Sequence, residues 1–403
     1  MYRTLLALAL FFSLTVPTRA QVRIDEDVNA QLAAQRIQVA IVGSDAALVS
    51  TVNQALGIHG AFTLSASASA RVNLDRAGLS CRVSCEQAGY AFNTEVQGRD
   101  GTELALRVAD AVVVGLGRRF TLKPLFADTR VAFLSTIGVG RREVYAGNLL
   151  MLGVRPLTRL NCDNLGPRWS TDGTRVAFVS HTRQLPDLYV VGYPSGQPRP
   201  LIAGMRGTLT GGAASPDGRR IVFCSSNLGR TLDLFVSDAN GGNRRCLLRT
   251  DDRVESDASW SPDSQQIIFA AGAAGSPRLF VLPASGGTPT QLATGGGYAS
   301  EPSWSRVERS LIAFTQAGEG TNSVAVLDLS KGTVAVAAQG SGSLAHSRAS
   351  WCADGRHLVV QTQQRGTDRY WLSLVDSGTG KVSRLTGDQL RSCMQPDCWY
   401  PAR

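Results

Sequence analysis

The sequence predicts an α+β chain in which a small α/β domain precedes a six-bladed β-propeller with four-stranded blades. Three observations carry this. A Trp-Ser-Pro-Asp-Gly-type motif recurs with a period near 45 residues through the later two-thirds of the chain. Each copy runs into a short strand that is apolar on both faces. Residues 21 to about 120 lack the repeat. The expected divisions are 1–20, a signal peptide; 21–120, the N-terminal domain; and 121–403, the propeller.

The first element is an export signal. Arg3 is its positive flank, Leu5 to Val16 its apolar core, and Pro17-Thr18-Arg19-Ala20 its cleavage region. Twelve apolar residues are too few for a spanning helix, which needs about 20. Gln21 would begin the mature chain, and as it is not Cys no lipid anchor is expected.

The N-terminal domain follows. Gln38 to Val42 reads as a strand, and Ser44 as the cap of a helix carrying Leu48, Val52 and Leu56 and stopping at Gly57. Ala61 to Leu64 and Ala91 to Val96 read as further strands, with an Ala/Ser-rich stretch from Thr63 to Val72. Thr102 could cap a helix with Leu104, Val108 and Val112 on one face, although Val112-Val113-Val114 suits a strand nearly as well.

The repeat is read from Trp169-Ser-Thr-Asp-Gly, Ala214-Ser-Pro-Asp-Gly, Trp260-Ser-Pro-Asp-Ser, Trp304-Ser-Arg and Trp351-Cys-Ala-Asp-Gly, ending in the fragment Cys398-Trp399-Tyr400-Pro401. Steps between the Trp-equivalent positions are 45, 46, 44, 47 and 48. A further copy, Thr129 to Ser135, lies 45 residues before Thr174 to Ser180. That makes six units opening near Phe126, with a terminal fragment able to close a ring. Four strands at this period signify a propeller blade. Pro and Gly serve the turn, and the double-sided apolar strand must lie between neighbouring blades. Trp169, Trp260, Trp304, Trp351 and Trp399 recur in phase and read as packing residues. Asp172, Asp217, Asp263 and Asp354 read as turn carboxylates that cap local amides.

Composition narrows the function. Glycine is 42 of 403 residues, as many tight turns require, and the formal charge of +9 is spread out. The densest basic groups are pairs such as Arg118-Arg119 and Arg219-Arg220, with no aromatic platform between them, so nucleic-acid binding is not expected. Among eight cysteines, Cys81/Cys85 and Cys393/Cys398 are close in sequence. No His lies near either pair and the two-residue zinc-knuckle spacing is absent, so local disulfides or buried thiols fit better than metal. No Gly-x-Ser-x-Gly, Gly-x-x-x-x-Gly-Lys or His-Glu-x-x-His motif occurs. His59, His181, His346 and His357 each stand alone in the sequence, whereas acid–base work needs an oriented partner. No catalytic residue, cofactor or metal is expected.

The order of signal, small domain and six Trp-Ser-Pro-Asp-Gly blades resembles the TolB family of the Tol–Pal system, most strongly from Phe126 onward; Leu104 to Phe133 also resembles the family's helix leading into the first blade. The resemblance implies a monomeric, non-catalytic periplasmic scaffold. Its propeller mouth would dock the outer-membrane lipoprotein Pal, in support of outer-membrane integrity, cell division and colicin import. Pal-contacting positions of the family fall, aligned on the motif, at Thr208, Gly211 and Ser256; the family has His and Ala where this chain has Thr208 and Gly211. The same loops would add Leu165, Asp257, Ser300, Glu301 and Ser347 to the rim. Two departures stand out. The N-terminal domain is expected to be shorter than the family's. Gln21-Val-Arg-Ile-Asp-Glu-Asp matches the family's TolA-engaging segment only loosely. The alternative reading is an exported propeller that binds or cleaves carbohydrate or peptide, for which a metal held by Asp257 and Glu301 would be the sign.

Overall fold

The structure is a computed structural model that describes residues 36–402, apart from 88, 137–140, 228, 230, 274 and 319. The expected signal at 1–20 and the segment 21–27 lie outside the described residues.

The N-terminal domain is two-layered. Five strands, β1 (Ile37–Gly43), β2 (Phe62–Leu64), β3 (Ala70–Ala77), β4 (Ser80–Cys85) and β5 (Phe92–Gln97), form a sheet in the order β2-β1-β3-β4-β5. β1 runs parallel to β2 and β3, and the rest are antiparallel. β3 alternates buried and exposed residues, so helices cover one face of the sheet. Those helices are α1 (Ala46–Ile58) and α2 (Gly101–Leu116). Both caps sit beside the expected residues. Asp45, not Ser44, accepts the Leu48 amide at 3.0 Å, and Asp100, not Thr102, accepts that of Glu103 at 2.8 Å. α1 continues past Gly57 to Ile58, and Val112–Val114 is helical. β3 and β4 are elements the Ala/Ser-rich reading did not anticipate. Cys81 and Cys85 both lie on β4, where four residues span about 13 Å, beyond the reach of a disulfide. All eight cysteines are free thiols and six are buried; burial pushes Cys393 up to about 11.

Asp110 of α2 joins the two domains. Its carboxylate accepts the amides of Leu125, Phe126 and Ala127 at 2.7, 2.8 and 2.8 Å, which fixes the chain just before the first blade. One apolar core runs from the domain through Phe126 into Val359, Leu372 and Leu374 of the last blade.

Each blade is a four-stranded antiparallel sheet. Blade 1 holds β6 (Arg130–Ser135), β7 (Glu143–Asn148) and β8 (Arg155–Pro156). Blade 2 holds β9 (Asn164–Trp169), β10 (Arg175–Ser180), β11 (Asp187–Gly192) and β12 (Arg199–Ile202). Blade 3 holds β13 (Leu209–Ala214), β14 (Arg220–Ser225), β15 (Asp233–Asp238) and β16 (Arg245–Leu248). Blade 4 holds β17 (Val254–Trp260), β18 (Gln266–Gly272), β19 (Arg278–Pro283) and β20 (Thr290–Gln291). Blade 5 holds β21 (Ala299–Trp304), β22 (Leu311–Gly318), β23 (Thr321–Asp328) and β24 (Thr333–Ala338). Blade 6 holds β25 (Leu344–Trp351), β26 (His357–Gln364), β27 (Tyr370–Asp376) and β28 (Val382–Arg384). The C-terminal strand β29 (Cys393–Trp399) supplies the inner strand of blade 1 by pairing with β6, so the two ends of the repeat region close the ring.

The apolar second strands bury Phe133, Phe178, Phe223, Phe269 and Phe314 completely. The first four stack on an aromatic of the next strand, with centroids 5.5–6.0 Å apart. The tryptophans stitch blades together: Trp260 Nε1 donates to Ala213 O at 2.9 Å and Trp351 Nε1 to Ser303 O at 3.0 Å. The last copy is out of phase with the sequence alignment. Cys398 lies opposite Val131 as Trp169 lies opposite Val176, so Cys398 takes the tryptophan position and Trp399 falls one residue beyond it. As expected, Asp172, Asp217, Asp263 and Asp354 each accept a turn amide.

Candidate functional site

The six inner strands, β9, β13, β17, β21, β25 and β29, each touch the next around the ring and line a central channel. Each of them carries a bulge at the same level, where its register with the second strand shifts. At that level every strand has a residue of positive φ, namely Gly166, Gly211, Asp257, Glu301, Arg348 and Gln395, and β13 adds Gly212. Each of the first six lies three residues before the tryptophan or its equivalent. For the four that are not glycine the left-handed backbone is costly. Hydrogen bonds across neighbouring blades accompany it. Gly166 N donates to Gln395 Oε1 at 2.7 Å, and Arg348 N to Glu301 Oε2 at 3.1 Å.

The charges of this ring are paired. Arg348 reaches Glu301 at 2.9 Å and Asp257 at 3.5 Å, and Thr315 Oγ1 donates to Glu301 at 2.7 Å. Burial alone would lower the Arg348 pKa, but Glu301 and Asp257 outweigh it and hold it above its ordinary value. The guanidinium therefore stands where a metal shared by the two carboxylates would have to sit. Asp257 and Glu301 act here as an ion-pair cradle.

The expected rim residues are placed unevenly. Thr208 is exposed ahead of β13, its amide donating to Ser226 Oγ at 2.8 Å. Gly211 sits at the β13 bulge, and Ser256 is half-buried beside Asp257. Ser300 is buried, with its hydroxyl 3.2 Å from Tyr298 Oη. Leu165 and Ser347 hold the matching places on β9 and β25. Residues lining a depression at this end of the channel include Arg142, Asp163, Arg348, Gln361, Tyr370 and Gln395. Sequence reasoning missed Arg348 and Gln395. The offset of three before each tryptophan is the signal that would have found Arg348, whereas Gln395 needs the register of β29 on β6.

The family model for the TolB beta propeller domain matches residues 119–400, more than two-thirds of the chain. The chain belongs to this family. Among curated relatives, the Tol-Pal system protein TolB of Desulfosudis oleivorans is 38% identical over 72 residues, 18% of this chain and 16% of that protein. TolB of Francisella tularensis subsp. mediasiatica is 27% identical over 103 residues, covering 25% and 24% of the two chains. The matched segments thus span a quarter or less of those relatives. Among solved structures, TolB from Acinetobacter baumannii superposes with a TM-score of 0.76 at 18% identity, over 90% of this chain and 96% of that one. A putative TolB from Agrobacterium tumefaciens reaches 0.53 at 14% identity, over 68% and 98%. A chain of a nidogen/laminin complex also reaches 0.53 at 14% identity, so at this distance the propeller shows fold alone. Among the described residues of this TolB-family chain, no helix is long and apolar enough to cross a membrane.

Proposed function

We propose that this chain is a periplasmic, non-catalytic docking protein of the Tol–Pal system. It would hold a Pal-type lipoprotein at the channel mouth and so serve outer-membrane integrity, cell division and colicin import. The contact surface would comprise Thr208, Gly211, Ser256, Asp257, Ser300 and Glu301. The observation that carries this reading is the ion-paired channel ring in a TolB-family propeller. Arg348 uses the two channel carboxylates as an ion pair, and the loops ahead of the inner strands remain as a rigidly presented surface. The same pairing weighs against the alternative, since a sugar- or peptide-cleaving site needs a free acid–base pair or a metal.

The test is a crosslinking pull-down of the exported protein from envelope extracts, with partners identified by mass spectrometry. Wild-type protein is expected to recover a Pal-type lipoprotein, and Thr208→Trp with Ser256→Trp to lose it while keeping the same melting temperature. Equal recovery by both proteins would reject the surface. Recovery of no lipoprotein by wild type would reject the function.

A further inference from the structure

The end of α1 is seated on blade 6. Lys381 Nζ donates to Gly57 O at 2.6 Å and Ser383 Oγ to Ile58 O at 3.2 Å, so the propeller caps carbonyls that the helix leaves open. Gly60 passes so close that a Cβ there would lie 1.9 Å from Asp376 Oδ2. Between these contacts sit His59 and His357, both fully buried, with ring centroids 4.4 Å apart and edge to face. Nε2 of each ring has no hydrogen-bond partner. Ligand atoms of His59, His357 and Asp376 lie within 4.8 Å of one another.

That spacing invites a metal, but the remaining bonds point to protons. His59 Nδ1 accepts the Ala61 amide at 3.2 Å, which places the ring proton on Nε2. His357 Nδ1 donates to Asp354 Oδ2 at 2.6 Å, and its Nε2 lies 3.8 Å from Asp376 Oδ2. Asp376 is held by Arg356 at 2.7 and 3.0 Å, so a guanidinium already occupies the cation's place. Asp354 therefore anchors the His357 ring, which stands edge to face against the neutral ring of His59.

We propose that His59, packed against His357, forms a proton-sensitive latch that seats the N-terminal domain on blade 6 while its ring is neutral and releases the end of α1 when it takes a proton. The charged and titratable groups facing His59 all come from the propeller: His357, Asp354, Asp376, Arg356 and Lys381. It also meets the apolar rings of Phe62, from its own domain, and of Phe126, from the entry to the first blade, at 5.1 and 6.3 Å. A proton added at His59 Nδ1 breaks the Ala61 bond. Burial, then the His357 neighbour, push the His59 pKa well below its ordinary value; Asp376 and Asp354 offset this only in part. Released into water, His59 would regain a value near 6.5. Seating is therefore complete above that pH. Below it, each pH unit shifts the balance up to about tenfold toward release.

The test is hydrogen–deuterium exchange of the full chain at pH 7.0 and 5.0, corrected for intrinsic rates. Protection over Ala55–Phe62 is expected to fall by up to about 30-fold, with β10 amides unchanged. In His59→Leu, which cannot titrate, that pH dependence should vanish. An equal loss in wild type and variant would overturn the latch. Proton NMR of the wild-type imidazoles tests it without any variant. His59 should stay neutral to pH 5 in the seated form, and an ordinary titration near 6.5 with the helix end still protected would overturn the proposal. So would stoichiometric zinc retained by the wild type and lost from His59→Leu.

Discussion

Glu255 provides the sharpest test of the packing between blades 3 and 4. Its side chain is 0% exposed; Oε1 accepts Thr250 Oγ1 at 2.6 Å, while Oε2 is buried with no partner. Burial raises its pKa from 4.5 to about 7; the Thr250 bond opposes the rise, and the charge of Asp233 adds to it. Asp233 has both carboxyl oxygens buried without partners, and burial raises its pKa too. A carboxyl raised in the folded state favours folding while protonated. Its benefit is complete below the unfolded value and is lost as pH climbs through about 7. Ionisation at pH 8 therefore costs the folded protein about 3 kcal/mol. Glu255→Gln keeps the acceptor for Thr250 and removes the charge. Thermal melts at pH 4.5 and pH 8 should show little difference from wild type at the lower pH. At the higher pH the variant should gain roughly 6 °C, from about 2 °C per kcal/mol at the large-domain end of the usual range. A gain of the same size at both pH values, or a loss at pH 8, would refute the argument that an uncompensated buried charge sits there.

Two further substitutions probe the channel and the domain junction. Arg348→Met leaves Asp257 and Glu301 on adjoining inner strands without their shared counter-charge. With the arginine side chain 31% exposed, the loss in urea denaturation should be about 1–3 kcal/mol, and adding Glu301→Gln should recover part of it. Asp110→Ala strands three linker amides and should lower stability by about 2–4 kcal/mol, whereas Asp110→Asn should cost less, since its carbonyl still serves Leu125 and Phe126; a shared calorimetric transition for both domains would register the change.

The helix caps show how far local signals reach. Ser44 and Asp45, like Asp100 and Thr102, are both competent caps, and the choice depends on which side chain meets the third amide of its helix. β3 was obscured because its alternation of Ala70, Val72 and Leu74 emerges from a small-residue stretch. Trp399 was misphased because its own blade is completed by β6, from the far end of the repeat region, and only that pairing sets its register. The histidines are the clearest case. His59 and His357 look solitary in the chain, yet their rings are 4.4 Å apart in the fold.

The sequence by itself determined the propeller, its six blades and its closing fragment. A period near 45 and two-sided apolar strands are local patterns, and one packing solution repeated six times satisfies them. Only the tertiary structure decided what occupies the channel and the domain junction. The Asp257–Arg348–Glu301 cradle and the His59–His357 contact join residues far apart in sequence, and no periodicity encodes them. Their chemistry exists because closing the ring and docking α1 bring charges together out of water, where each group's protonation is set by its neighbours.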